Sequence, residues 1–269
     1  MNHCLYPQPI LLYLSAETDF CQFFLLVRGF DAKKEGMKNL QIFPTCEECT
    51  AKGHPIFKDL SPDELNSLNF DKVCSLYKRG SVIYHEGNRI NGYYCVNSGI
   101  VKMYKTGIDG KEQIIRFAKK GDIMGYRSVL SKELACTTAK TIEDAVLCFI
   151  PSDSLFDLIK TNSDFAMSLM QLTCKELGEA NNYITDIAQK TVRERLAEIL
   201  LLLKDKFDLD ENQVLKISLT REELANLVGT ATESVIRLLS EFKSDHLIEL
   251  QGRKIKIINL TGLHKVANL

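Results

Sequence analysis

The spacing of apolar and polar positions divides the chain into a β half and a helical half. From about residue 76 to 150, short runs of β-formers (SVIYH, YYCV, IVKMY, QIIRFA, TTAKT and AVLCFI) alternate with glycine or polar corners. Eight of the fifteen glycines fall between Gly80 and Gly125, and GIDG at 107–110 reads as a hairpin turn. Many short strands with glycine corners predict an antiparallel barrel or jelly roll. Ahead of them, LSPDELNSL predicts a short helix: Ser61 can cap it, Pro62 fits its first turn, and Glu64 stands three residues after the cap.

After Pro151-Ser152 the period becomes helical, and a long helix is predicted from Asp164 towards Gln189. On it Met170, Leu177 and Ile184 are seven apart, with Ala180 and Ile187 at the complementary heptad spacing. An amphipathic helix packed on its own domain has the same spacing, but a helix this long outruns a small barrel, which favours a partner helix. TVRERLAEILLLLKDKF predicts the next helix. Two shorter ones, 221–228 and 231–243, are followed by HLIEL, the turn QGRK and IKIIN, and TGLHKVANL reads as a closing helix. That is a helix-turn-helix with a two-stranded wing. The class is α+β.

Composition adds bounds. With 269 residues, 45% hydrophobic and 26% charged, the chain is long enough for two modest domains with cores of their own. A net charge of -1 carries no global nucleic-acid signal, so any DNA-binding face must be a local patch. Nine scattered cysteines are unlike a small disulfide scaffold and suggest a reduced, cytoplasmic protein. PILLYL and FFLLV near the start are too short for a membrane span and make a poor signal peptide. Residues 1–43 are read as a tail, with Met37 the expected true start.

Within LTREELANLVGTATESVIRLLSEF, Thr220 and Glu223 form a capping-box pattern, and Gly229 supplies the turn. Thr230 is then the expected cap of the second helix. Glu233 and Arg237 sit four residues apart. Spacing alone allows a helical ion pair. In a helix-turn-helix the same two side chains face the major groove, where an arginine can take guanine O6 and N7 and a carboxylate can accept from the cytosine amine.

These residues, with VRERLAEILL, GSVIYHEG, NSGIVKMY and GDIMGYRS, resemble the Crp/Fnr family of bacterial transcription regulators over about 44–269. The resemblance implies a double-stranded β-helix sensor roll (44–162), a dimerisation helix (163–190) and a winged helix-turn-helix (191–269). It implies no enzyme, but a homodimer that binds a palindromic DNA operator and works with RNA polymerase. Glu233 and Arg237 would read a half-site with a GA core. Ile236 stands at a third reading position, and Thr232 replaces an arginine found in the Crp branch. Thr230 and Ser234 complete the recognition set. Thr220 and Arg221, and Arg253 and Lys254 at the wing tip, would meet phosphate. Met170, Leu177, Ala180, Ile184 and Ile187 would form the dimer seam.

The same resemblance frames the effector. Cyclic AMP is disfavoured: beyond Gly121-Asp122 the expected cationic donor is replaced by Glu133 and Leu134 in SKELACTTAKT, and Arg127-Ser128 stands elsewhere. Cys46, Cys49 and Cys148 match positions that hold an iron–sulfur cluster in Fnr-type sensors, with His54 or Cys95 as the fourth ligand. Thiolates suit iron–sulfur or zinc. Cys74 and Cys174 read as small buried apolar residues. A redox dithiol, haem or no ligand are the alternatives. Two rival functions are a nucleotide-binding signalling module and a thiol redox protein using Cys46 and Cys49. The latter would need its CxxC at a helix start inside a βαβ unit, unlike the setting here.

Overall fold

The computed structural model describes Phe43, residues 45–49 and residues 54–269. The expectations for the N-terminal tail and for Met37 lie outside the described residues. Helix α1 (Pro62–Asp71) starts as its sequence predicts: the Ser61 hydroxyl accepts from the Glu64 N–H, while the Glu64 carboxylate accepts from the Ser61 N–H at 2.8 Å.

Eight strands follow: β1 (Val73–Tyr77), β2 (Val82–Tyr84), β3 (Gly92–Ser98), β4 (Val101–Thr106), β5 (Glu112–Ala118), β6 (Ile123–Met124), β7 (Thr138–Thr141) and β8 (Ala145–Pro151). They form two four-stranded antiparallel sheets, in the orders β1-β8-β3-β6 and β2-β7-β4-β5. Val96, Val101, Met124, Ala139 and Leu147 pack together in a core of this roll. The predicted GIDG turn joins β4 to β5, with the Gly107 N–H on the Lys111 carbonyl at 2.9 Å. Gly99 turns β3 into β4 at φ +84°, where a Cβ would come within 2.6 Å of Ala145, so both conformation and space demand glycine.

The short α2 (Tyr126–Ser131) and α3 (Ser152–Thr161) pack on the roll, and α4 (Ser163–Gln189) leaves it. Asn162 caps α4, its side chain accepting from the Phe165 N–H at 2.9 Å. At about 1.5 Å per residue its 27 residues span about 40 Å. Of its side chains only Phe165 and Leu169 are buried.

A second capping box, Thr191 with Glu194, opens α5 (Val192–Phe207). Then come α6 (Arg221–Val228), α7 (Thr232–Ser244), the two wing strands β9 (Ile248–Gln251) and β10 (Lys254–Ile257), and α8 (Leu260–Ala267). Their core gathers Leu196, Leu200, Leu224, Val235, Phe242 and Leu263, and it continues into the roll through Ile114 and Phe117 of β5. Phe117 meets Phe207 edge-on, ring centroids 5.9 Å apart. The roll and the winged helix therefore share an apolar contact. The α+β class with roll, long helix and winged helix-turn-helix is what the sequence patterns predict.

Two cysteine expectations fail. Cys74 is bonded to Cys148 in a disulfide, directly across the β1–β8 pairing, so it is not a free apolar side chain. Cys174 is exposed on α4, not buried.

Candidate nucleic-acid interface and sensor site

Thr220 caps α6 as its pattern predicts, in a reciprocal box with Glu223, and Gly229 ends the helix at φ +74°. Thr230 does not cap α7. That helix begins at Thr232, its N-cap is Ala231, and no side chain bonds the cap. The Thr230 carbonyl instead accepts from Lys111 Nζ at 2.7 Å. The ion pair between Glu233 and Arg237 that spacing alone allows does not form. Arg237 Nη1 bonds Glu241 Oε1 at 2.8 Å, and Glu233 has no ion pair among the described residues.

Val235, Leu238, Leu239 and Phe242 of α7 are buried. By helical period Glu233, Ile236, Arg237 and Ser240 then point outward, and all four are exposed. Thr232 and Ser234 flank them half-buried. At the wing tip Arg253 and Lys254 are exposed. Arg221 Nη2 donates to the Gly252 carbonyl at 2.8 Å, bracing the start of α6 against the wing, and burial pushes its pKa down.

The helix-turn-helix is tied to the roll and to α4. Gln113 of β5 donates to the Tyr183 hydroxyl on α4 at 2.6 Å and also to the Asn226 carbonyl on α6. Tyr183 Oη donates in turn to the Leu227 carbonyl at 3.3 Å. Along α4, Met170, Leu177, Ala180, Ile184 and Ile187 are exposed, the largest at 60 to 65%. Ile187 also reaches the turn, its Cδ1 3.6 Å from where a Gly229 Cβ would stand.

Two cavities lie in the roll. The first, of about 30 Å³, is lined by Tyr84, Arg116, Tyr126, Arg127, Thr137 and Glu176, among others. Glu176 of α4 bonds Arg116 and stands 3.9 Å from Arg127. This corrects the ground on which cyclic AMP was disfavoured: Glu133 and Leu134 are exposed and outside the cavity, whereas Arg127 and Ser128 line it. The carboxylate facing a ligand would be Glu176. Arg116 could have been noticed as a lone cation among apolar residues in QIIRFA; nothing in the spacing points to Glu176.

The second cavity, of about 40 Å³, is lined by Cys46, Cys49, Cys95 and Cys148 with Lys72 and Asn97. Burial and the neighbouring Cys49 and Cys46 push the Cys95 thiol up to about 12. Burial also raises Cys46, opposed by Lys72. His54 has both ring nitrogens engaged: Nδ1 accepts from the Ile56 N–H at 3.5 Å, and Nε2 lies 3.5 Å from Asp122. Thiolates suit iron–sulfur or zinc, yet among the described residues no three His, Cys, Asp or Glu converge as a ligand group, and Cys148 is committed to Cys74. The arrangement does not fit a bound metal.

Known proteins bear on both halves. A family model described as cyclic nucleotide-binding domain matches residues 75–162, and one described as Crp-like helix-turn-helix domain matches 194–266. The transcriptional activator protein FnrA of Stutzerimonas stutzeri is 25% identical over 226 residues, 82% of this chain and 92% of that one. The anaerobic regulatory protein of Haemophilus influenzae is 27% identical over 221 residues, 81% and 86% of the two chains. The solved structure of FixK2 from Bradyrhizobium japonicum superimposes with a TM-score of 0.65 at 26% identity, covering 72% of this chain and 96% of that one. A sensor roll carrying a winged helix-turn-helix defines an effector-controlled DNA-binding regulator. The chain belongs to the Crp/Fnr family of transcriptional regulators. Among the described residues no helix is long and apolar enough to cross a membrane.

Proposed function

We propose that two copies of this chain bind a palindromic operator, each placing α7 in the major groove. The supporting observation is the outward row Glu233, Ile236 and Arg237 on α7, set beside the exposed Arg253 and Lys254 of the wing. On this reading Arg237 takes guanine and Glu233 the paired cytosine amine, giving a half-site with a GA core. Ile236 lies against a thymine methyl, and Thr230, Thr232 and Ser234 border the contact. Thr220, Arg221, Arg253 and Lys254 hold phosphates. Residues 191–269 bind DNA and residues 163–190 pair the subunits through Met170, Leu177, Ala180, Ile184 and Ile187. Residues 44–162 sense the effector. The protein acts in the cytoplasm by binding, with RNA polymerase as partner, and catalyses no reaction.

The effector is read as a redox signal at Cys46, Cys49 and Cys148. Four cysteines around one cavity support this, as does the likeness to the anaerobic regulatory protein of Haemophilus influenzae. The test is fluorescence anisotropy with a labelled palindrome carrying the GA core against a scrambled duplex, under reducing and oxidising conditions. Equal binding to both duplexes would defeat the operator reading, and equal binding in both conditions would defeat the redox one.

A further inference from the structure

Cys74, Cys148 and Cys95 stand opposite one another on the neighbouring strands β1, β8 and β3, so their side chains share one face of the sheet. The loop ahead of α1 brings Cys46 and Cys49 to that face, and the cavity there is lined by Cys46, Cys49, Cys95 and Cys148. Cys74 does not line it. One half of the disulfide, Cys148, therefore lines a cavity that the CxxC pair also lines. Asn97 Nδ2 donates to Cys49 Sγ at 3.1 Å. Asn97 is held there by the irregular pairing of β3 between Val96 and Ser98.

We propose that the Cys74–Cys148 disulfide exchanges internally with the Cys46/Cys49 pair, so that the cavity is a thiol–disulfide relay. Cys49 loses its proton to solvent and its thiolate attacks Cys148 Sγ. The Cys49–Cys148 bond forms, the Cys74–Cys148 bond breaks, and Cys74 leaves with the electron pair and takes up a proton. Cys46, deprotonated in turn, attacks Cys49 Sγ. The Cys46–Cys49 bond forms, and Cys148 leaves as a thiolate and is protonated. One disulfide and two thiols stand on each side, and no outside oxidant or reductant is consumed. Cys95, 8% exposed, is a bystander.

The exchange moves a covalent tie. In one form it joins β1, the edge of its sheet, to β8; in the other it closes the loop at 46–49, whose Cys46 N–H bonds Asn69 Oδ1 of α1 at 3.1 Å. Its use as a signal rests on the roll being the redox sensor; the exchange itself does not, and it can be tested without DNA.

The test is peptide mapping of disulfides by mass spectrometry after acid quench and alkylation, on the full chain. Wild type should yield both Cys74–Cys148 and Cys46–Cys49 linkages. Cys49→Ser should yield Cys74–Cys148 alone. Cys46→Ser, which lacks the second nucleophile, should accumulate Cys49–Cys148 with Cys74 free, and Cys95→Ala should match wild type. Should Cys46→Ser fold poorly, wild type decides, because failure to find any Cys46–Cys49 linkage as the pH is raised overturns the relay. So would iron or zinc retained by wild type and lost in Cys49→Ser, since the sulfurs would then be ligands. Loss of operator binding with the linkages as expected would count against the regulatory reading and leave the relay standing.

Discussion

Arg237 and Glu241 are hydrogen-bonded one turn apart on α7, at 2.8 Å, and the same carboxylate holds Arg193 of α5 through its other oxygen at 2.9 Å. The guanidinium proposed to read guanine is thus parked on a neighbour, with two-thirds of its side chain exposed. An exposed pair of this kind is worth about 0–1 kcal/mol, less than a bidentate contact to a base, so DNA can displace it. Arg237→Ala should cost about 1–3 kcal/mol of operator affinity and relax preference at one base pair. Glu241→Gln should strengthen binding by less than about tenfold, since at most the value of the pair is recovered. Anisotropy titrations against operators substituted at each position of the half-site check both. If Arg237→Ala discriminates as wild type does, the base-reading assignment fails.

Gln113 is the joint of three elements, since its amide reaches α4 through Tyr183 and α6 through Asn226. Tyr183→Phe removes the hydroxyl that accepts from Gln113 and donates to Leu227 while keeping the ring. It should lower unfolding stability by about 0.5–1.5 kcal/mol in urea titrations, the usual net value of a hydrogen bond. If the joint also carries the state of the roll to the winged helix, the difference in operator affinity between reduced and oxidised protein should shrink. An unchanged difference would mean that coupling runs elsewhere.

What the sequence disclosed and what it hid divide along chain separation. Ser61 with Glu64 and Thr220 with Glu223 were legible because a capping box is written within four residues. The glycine corners and the GIDG hairpin were legible for the same reason. Thr230 misled because a threonine three residues before Glu233 looks like a cap, while the turn after Gly229 runs on to Ala231 and gives the Thr230 carbonyl to Lys111. The joints of Arg116 with Glu176, Gln113 with Asn226, and Cys74 with Cys148 link residues 60, 113 and 74 positions apart. No period or motif marks such pairs; strand register brings the two cysteines together, and the packing of α4 and α6 against β5 brings together the other two pairs. His54 was a reasonable ligand candidate by position, and its two ring nitrogens face the Ile56 N–H and Asp122.

Leu177 and Ile184, more than 60% exposed, lie two turns apart on a helix that buries only Phe165 and Leu169. An apolar stripe of this length in water calls for a partner, and a second copy supplies the same stripe. Wild type should be dimeric without any added effector. Leu177→Glu with Ile184→Glu should give a folded monomer, since neither side chain contributes to the core, and operator affinity should fall steeply. Multi-angle light scattering reads the mass directly. A wild-type monomer would remove these residues from the seam.

The wing separates two kinds of contact that the recognition helix mixes. Arg253 and Lys254 are exposed at the tip beside Gly252, far in sequence from the base-facing row. Each should neutralise about one phosphate, and each phosphate contributes about 0.9 to the slope of log affinity against log salt. Arg253→Ala and Lys254→Ala should each lower that slope by roughly one, weakening operator and random duplex alike. Arg237→Ala should instead change the ratio between the two duplexes. Titrations over a range of salt concentrations distinguish these outcomes, and a wing substitution that altered sequence preference while leaving the salt slope untouched would move the wing from the backbone into the groove.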